Sequence, residues 1–293
     1  MQTIGMIGIG QMGAPMARNL LKGGYPVYVF DINEKQMELL AQAGAKKSTD
    51  AKDLAAQSDV VITVLTWPHV VEEVILGPKG VIEGLKRGAV AIECSSIDHE
   101  TSLRLGQKVE AAGGRFMEAA LMGRPNTIES KELDILTAGR KETVQECEPV
   151  LNTIARKARY VGELGAAKLL KIASAMLNAT ETAVTYEVLT WCLRNGITQE
   201  GFLEIVRHRR PRAADGLAEI LKGRYDTSPS WVAKDLYHGV KIAGAKEMPT
   251  PILSTVNAIT NLAKLQNKEG YRFSEMLWKY YESTLKTPRK SDD

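Results

Sequence analysis

The chain has 293 residues, 44% of them hydrophobic and 25% charged, with a formal net charge of +3. This is an ordinary soluble composition, long enough for one large domain or two smaller ones, and the small charge argues at whole-chain level against a nucleic-acid or membrane partner. No apolar run approaches the roughly 20 residues that span a bilayer.

Met1 leads almost directly into a strand, so no signal peptide is expected. The three cysteines, Cys94, Cys147 and Cys192, are far apart and odd in number. They read as reduced thiols of a cytoplasmic protein rather than a disulfide framework. The four histidines are scattered, and no cluster has ligand spacing, so no metal site is expected. In chain order, β-rich runs fall at residues 3–9, 26–31, 60–65, 89–94, 116–119 and 134–138. Amphipathic stretches such as 12–22 and 34–43 lie between them. Strands alternating with helices predict an α/β fold with a parallel, doubly wound sheet. After about Gly162 the strand signals stop. Residues 165–194 contain no Pro and no internal Gly, which predicts a helix of about 45 Å, with Gly196 suited to its stop. The expected division is therefore a doubly wound α/β domain over 1–162 and an all-helical domain over 163–293.

The opening segment, TIGMIGIGQMGAPMARNLLKGGYPVYVFDINEKQ, carries the first chemistry. An apolar strand runs into Gly8, Gly10 and Gly13 in G-x-G-x-x-G spacing, and a helix follows. The three glycines suit a tight turn, close approach of backbone to a pyrophosphate, and close packing of helix on strand. The pyrophosphate then rests on the N–H groups of the helix N-terminus, beside Gln11 and Met12. A second strand ends at Asp31, whose carboxylate suits the adenosine ribose hydroxyls and repels a 2′-phosphate. The expected cofactor is therefore NAD rather than NADP. Lys35 lies one helical turn beyond the usual place for a phosphate-binding Arg. A bare glycine motif is a weak signal; its placement between a strand and a helix, with a strand ending in Asp after it, makes it specific.

GIGQMGAPMARNL resembles the fingerprint G-x-G-x-M-G-x-x-M-A-x-N-L of the β-hydroxyacid dehydrogenases, the 3-hydroxyisobutyrate dehydrogenase family. The similarity continues along nearly the whole chain. VVITVLTWP resembles the strand and loop that pass the cofactor ribose, at Leu65. IECSSIDHETS resembles the D-x-S-T segment, with Ser95 and Ser96 at its S-T position. FMEAALMGRPNTIESKELDILTAG resembles D-A-P-V-S-G-G, with Gly123 at the first Gly. VGELGAAKLLKIASAMLN resembles the interdomain helix, with the family lysine at Lys171. AKDLYHG resembles a K-D motif near the cofactor, at Lys234 and Asp235.

The resemblance implies a Rossmann domain joined by one long helix to an all-helical domain for substrate and oligomerisation. It also implies an interdomain cleft, hydride transfer between NAD and a small anionic substrate, and a homodimer or homotetramer. Three departures stand out. Met122 replaces the family Ser, Arg124 replaces the second Gly, and Ala175 replaces the Asn one turn after the lysine. The Gly123-Arg124 pair is similar to that of sulfolactaldehyde reductases.

Each chemical residue has a plainer alternative. Lys171 and Lys168 lie on neighbouring faces of one apolar helix, so sequence alone can exchange the buried lysine for the solvated one. The family register selects Lys171 as general acid in reduction and base in oxidation. Ser95 and Ser96 follow a strand at the carboxyl edge of the sheet, where ligands bind, but Ser there also caps helices. Arg124 is a natural fork for a carboxylate, sulfonate or phosphate, or else a surface arginine. Arg207-His208-Arg209-Arg210-Pro211-Arg212 reads as a basic cleft rim or as a solvated helix end. Trp231 precedes Lys234 where the family often has an aromatic, and it suits core packing equally. Ser174 and Asn178, at i+3 and i+7 from Lys171, are replacements for the missing Asn, and Asn178 is preferred because an amide both donates and accepts. Ser96, Gly123, Arg124 and Asn178 are thus the expected substrate residues. The main alternative is a relative with altered chemistry, reducing an imine or another carbonyl, or a non-catalytic NAD-binding protein.

Overall fold

The computed structural model describes residues 2–123, 125–209, 218 and 228–285. Its chain forms two compact units, Met1–Lys171 and Ile172–Asp293. The expectation from sequence put the division at 162/163, where the last strand ends.

The first unit is built on an eight-stranded sheet. β1 (Ile4–Ile7), β4 (Val60–Thr63) and β5 (Val90–Glu93) are buried at every position, as central parallel strands with both faces covered must be. β2 (Val27–Phe30), β3 (Lys46–Lys47), β6 (Arg115–Met122), β7 (Asp134–Gly139) and β8 (Lys157–Gly162) complete it, in the order β3-β2-β1-β4-β5-β6-β7-β8. The order reverses between β1 and β4, and the carboxyl ends of those two strands flank the crevice where such sheets take ligands.

Helices cover both faces. α1 (Gly13–Lys22) buries Met16, Ala17 and Leu20 in a core shared with Ile4, Met6, Val29 and Ile62. α2 (Glu34–Gln42) starts at Asn33, whose side chain accepts from the Gln36 N–H. α3 (Ala51–Gln57), α4 (Pro68–Leu76), α5 (Val81–Gly84) and α6 (His99–Ala111) follow. Leu54, Val71, Val81 and Leu105 pack with Ile7 and Val61 in the core on the opposite face.

Three features differ from the expected sheet. β6 and β7 pair antiparallel, Met117 opposite Gly139 and Met122 opposite Asp134. The connection between them holds only the short α7 (Pro125–Glu129), and a parallel crossover needs a dozen or more residues. β3 and β8, the two sheet edges, are additional strands. Both residues of β3 are exposed, and KARYVG of β8 has one buried residue in six, so neither carries the apolar run that marks a central strand. α8 (Lys141–Ile154) connects β7 to β8 and buries Val144, Val150, Leu151 and Ile154.

α9 (Ala166–Arg194) is one continuous helix of 29 residues, close to the expected 165–194. It begins in the first unit and continues as the first helix of the second. There α10 (Gln199–Arg209), α11 (Pro229–Ala245), α12 (Pro251–Gln266) and α13 (Phe273–Leu285) follow. Tyr186, Leu189, Leu236, Val256 and Leu277 form the core of that unit. Among the described residues after Gly162 there is no further strand.

Candidate functional site

The glycine-rich turn has the construction its spacing implies. Gly8 has a φ of +84°, and a Cβ there would sit 2.3 Å from the Val64 carbonyl oxygen, so only glycine fits the turn. A Cβ on Gly13 would lie 2.0 Å from the Gly8 carbonyl oxygen, so α1 closes directly onto the turn. Around Gly10 the opposite holds: a Cβ would meet no atom within 4 Å. This is open space beside backbone, as a pyrophosphate requires. α1 has no side-chain cap on its N-terminal N–H groups and no acidic residue in its first turn, which leaves the positive end of the helix available to an anion. Gln11 is exposed and Met12 half-buried beside it.

Asp31 follows β2 and braces the turn. Its Oδ2 accepts from the Ile9 N–H at 2.8 Å and its Oδ1 from the Asn33 N–H at 2.8 Å. A carboxylate has about four acceptor sites, so ribose hydroxyls can still be accommodated. Ile32 beside it is 99% exposed, an apolar side chain standing in solvent at the adenosine end of such a site. Sequence reasoning passed over it, since a single exposed Ile carries no pattern.

The second cluster lies at the ends of β4, β5 and β6. The Leu65 N–H donates to Ser95 Oγ at 2.8 Å, which ties the loop after β4 to the turn after β5. Ser95 is buried and Ser96 half-buried. Neither caps α6, because Asp98 does so by accepting from the Thr101 N–H. Lys171 is half-buried on α9, and its Nζ donates to the Leu121 carbonyl at 2.5 Å, one residue before Met122 at the end of β6. Gly123 follows in a tight bend, where a Cβ would lie 2.4 Å from Thr127 Oγ1.

Lys168 does not point to solvent. It is 1% exposed, and its Nζ contacts Glu93 Oε2 at 2.5 Å, the Ser95 carbonyl at 2.7 Å and the Glu93 carbonyl at 3.1 Å. Glu93 and Glu118 are both fully buried. Glu93 Oε1 accepts from the Ser95 N–H at 2.6 Å, and Glu118 accepts from Ser102 Oγ at 2.5 Å and from the Lys168 N–H at 3.4 Å. The helix therefore buries one lysine and half-buries the other. The signal for this network was present in sequence: a glutamate in the middle of each apolar run, AVAIEC and RFMEAAL, must find a partner once buried. Burial, and the neighbouring Glu93 charge, push the Cys94 thiol well above its ordinary range.

The remaining expected residues are dispersed. Asn178, Lys234 and Asp235 belong to the second unit, Asn178 exposed on α9 and the other two partly exposed on α11. Ser174 is half-buried on α9. Trp231 is 48% exposed, so it is not a core residue. Arg207 and His208 are exposed at the end of α10, and Arg210, Pro211 and Arg212 lie outside the described residues, as does Arg124. Among the described residues no three His, Cys, Asp or Glu gather around a possible metal position, and no helix is long and apolar enough to cross a membrane.

Residues 3–162 match the NAD binding domain of 6-phosphogluconate dehydrogenase. The chain belongs to this family. It is 30% identical over 262 residues to 2-(hydroxymethyl)glutarate dehydrogenase of Eubacterium barkeri, covering 87% of this chain and 86% of that one. It is 28% identical over 269 residues to the cytokine-like nuclear factor N-PAC of Homo sapiens, covering 90% of this chain. The chain spans about half the length of such N-PAC relatives, 48% in the human case. The fold is shared with Mycobacterium tuberculosis 3-hydroxyisobutyrate dehydrogenase, with a TM-score of 0.85 at 22% identity, covering 98% of this chain and 100% of that one. The β-hydroxyacid dehydrogenase resemblance, the two-part α/β and helical architecture, and NAD as the cofactor are thereby borne out.

Proposed function

We propose that the chain is an oxidoreductase that interconverts a small β-hydroxyacid, or a similar anionic alcohol, and its semialdehyde or ketone. When bound, the dinucleotide supplies hydride exchange at its nicotinamide ring. Gly8, Gly10, Gln11, Met12 and Gly13 form the pyrophosphate turn. Asp31 takes the ribose, with Ile32 against the adenine, while Leu65 and Ser96 complete the cofactor contacts. Lys171 handles the proton: in oxidation its amine takes the hydroxyl hydrogen of the substrate, and in reduction its ammonium returns a proton to the carbonyl oxygen. Ser96, Gly123 and Arg124 hold the acidic group.

The observation that carries this reading is the Lys171 ammonium, held by the Leu121 carbonyl beside the end of β6. It belongs to the same compact unit as the glycine turn and the Ser95–Ser96 turn. The 2-(hydroxymethyl)glutarate dehydrogenase relative, by its name, acts on an anionic hydroxyacid, which supports the substrate class. A homodimer or homotetramer is part of the proposal. It is supported by an apolar stripe on α9, where Leu177, Val184, Val188 and Trp191 are 73%, 54%, 45% and 62% exposed.

The test is a spectrophotometric screen of NADH turnover against semialdehydes and β-hydroxyacids, with Lys171→Ala beside the parent. Turnover by the parent, a loss of most of it in Lys171→Ala and unimpaired NADH binding are the expected results. Near-normal turnover in Lys171→Ala refutes the mechanism. A second reading, a non-catalytic NAD-binding protein acting through partners, is favoured by the N-PAC relatives, whose name describes a nuclear factor. It is chosen if the parent binds NADH and turns over nothing in the panel.

A further inference from the structure

The mechanism above uses one lysine of α9, yet the more deeply buried lysine is the other. A charged pair with side chains 1% and 0% exposed is costly to desolvate, and it is often no more stable than an apolar pair of the same volume. Its contacts show what it holds. The Lys168 ammonium donates to the carbonyls of Glu93 and Ser95, which bracket the end of β5. The Glu93 carboxylate, on which the ammonium rests, accepts the Ser95 N–H with its other oxygen. Ser95 Oγ in turn holds the Leu65 N–H. Glu118 takes the backbone N–H of Lys168 itself, and the strand that carries Glu118 ends beside Leu121, the residue that holds Lys171. A single connected set of buried and part-buried hydrogen bonds thus joins the loop after β4, the turn after β5, the strand β6 and the first turns of α9. Lys171 lies one helical turn after Lys168.

We propose that Lys168 is a positioning residue: seated on Glu93, its ammonium clamps the backbone from Glu93 to Ser95 and sets the Ser95–Ser96 turn in register with Lys171. The inference rests on the hydride-transfer reading for its catalytic consequence, and on the geometry alone for its structural one. The clamp is closed to solvent, with side chains 1% and 0% exposed. Its ligands are two backbone carbonyls and one carboxylate. A hydrophobic pair of the same size would fill the space without holding the turn.

Removing Lys168 alone leaves Glu93 buried without its cation, so the pair is neutralised together, as Lys168→Met with Glu93→Gln. The side-chain amide introduced by Glu93→Gln still offers an acceptor to the Ser95 N–H, so what is lost is the ammonium on the two carbonyls. Amide hydrogen exchange is read at Leu65 and across 95–97, with Val61 and Ile92 in the adjoining strands as internal references. The expected result is exchange faster by at least about tenfold at Leu65 and 95–97, with Val61 and Ile92 changed by less than roughly threefold. With a turnover substrate, kcat falls by about tenfold or more, and NADH binding weakens by about threefold or more because the loosened Leu65 and Ser96 are cofactor contacts. Unchanged exchange at 65 and 95–97 in the folded variant overturns the proposal. So does acceleration spread evenly over β4 and β5, because the pair would then contribute only to global stability. Should the double variant fail to fold, Glu93→Gln alone is read in the same way, and a local acceleration of about threefold is expected, since the ammonium keeps its carbonyls but loses its seat. The exchange measurement is made with and without NADH and needs no substrate. A parent that turns over nothing therefore refutes the hydroxyacid reading while leaving the clamp to be decided by exchange.

Discussion

Replacing Asp31 with Ala tests the cofactor end most directly, because the carboxylate has two separable roles. In the protein it accepts from the N–H groups of Ile9 and Asn33, both at 2.8 Å. Losing both acceptors at a partly buried turn should cost about 1–2 kcal/mol, since water can replace only part of them. This loosens the glycine turn and weakens binding of NADH and NADPH alike by roughly tenfold. The second role is electrostatic. A carboxylate about 4 Å from a phosphate charge is repelled by about 1 kcal/mol in water and about 4 kcal/mol at an effective dielectric constant of 20. A half-exposed site lies between these limits, so the parent should prefer NADH by about tenfold to several hundredfold. The Asp31→Ala variant loses the repulsion and, for NADH, also the ribose hydrogen bonds, so its preference should shrink to within about threefold. Isothermal titration of parent and variant with both nucleotides measures this, and the thermal midpoint reports the loosened turn. Equal or tighter NADPH binding by the parent refutes the reasoning, as does a preference left unchanged by the substitution.

Two further predictions rest on the same unit, beside the Lys171→Ala and Lys168/Glu93 tests given above. Gly13→Ala places a Cβ 2.0 Å from a backbone oxygen, whereas Gly10→Ala enters open space. Gly13→Ala should therefore lower the thermal midpoint and abolish NADH binding, while Gly10→Ala should keep the midpoint within about two degrees and still weaken NADH by tenfold or more; calorimetry and titration of the pair decide it, and equal behaviour of the two variants is the contrary result. The Thr3 N–H, helped by Lys86, holds the Asp59 carboxyl below its ordinary value. A carboxyl lowered by folding adds stability above its unfolded pKa and loses it as pH falls through the lowered folded value. Urea unfolding should then show a shallower loss of stability between about pH 5 and pH 3 in Asp59→Asn than in the parent, and parallel curves contradict the assignment.

Much of the first unit was legible in the sequence because its signals are local. The strand into Gly8, the spacing to Gly10 and Gly13, and the strand ending at Asp31 each follow from backbone geometry over a few residues. The 29-residue length of α9 followed equally from an unbroken run without Gly or Pro. The edge strand β8 and the antiparallel pairing of β7 were not legible, because pairing partners and direction depend on residues far apart in the chain. The same limit applied to the lysines. Lys168 and Lys171 lie three residues apart on one helix, and periodicity does not distinguish a buried ammonium from a solvated one. Only the tertiary structure brings Glu93, from a strand 75 residues earlier, to 2.5 Å from Lys168 and leaves Lys171 on the Leu121 carbonyl. Local propensity determined which segments are strand and helix. Which charges are buried was decided by long-range packing, since an ion in the interior is tolerated only where distant segments supply its partners.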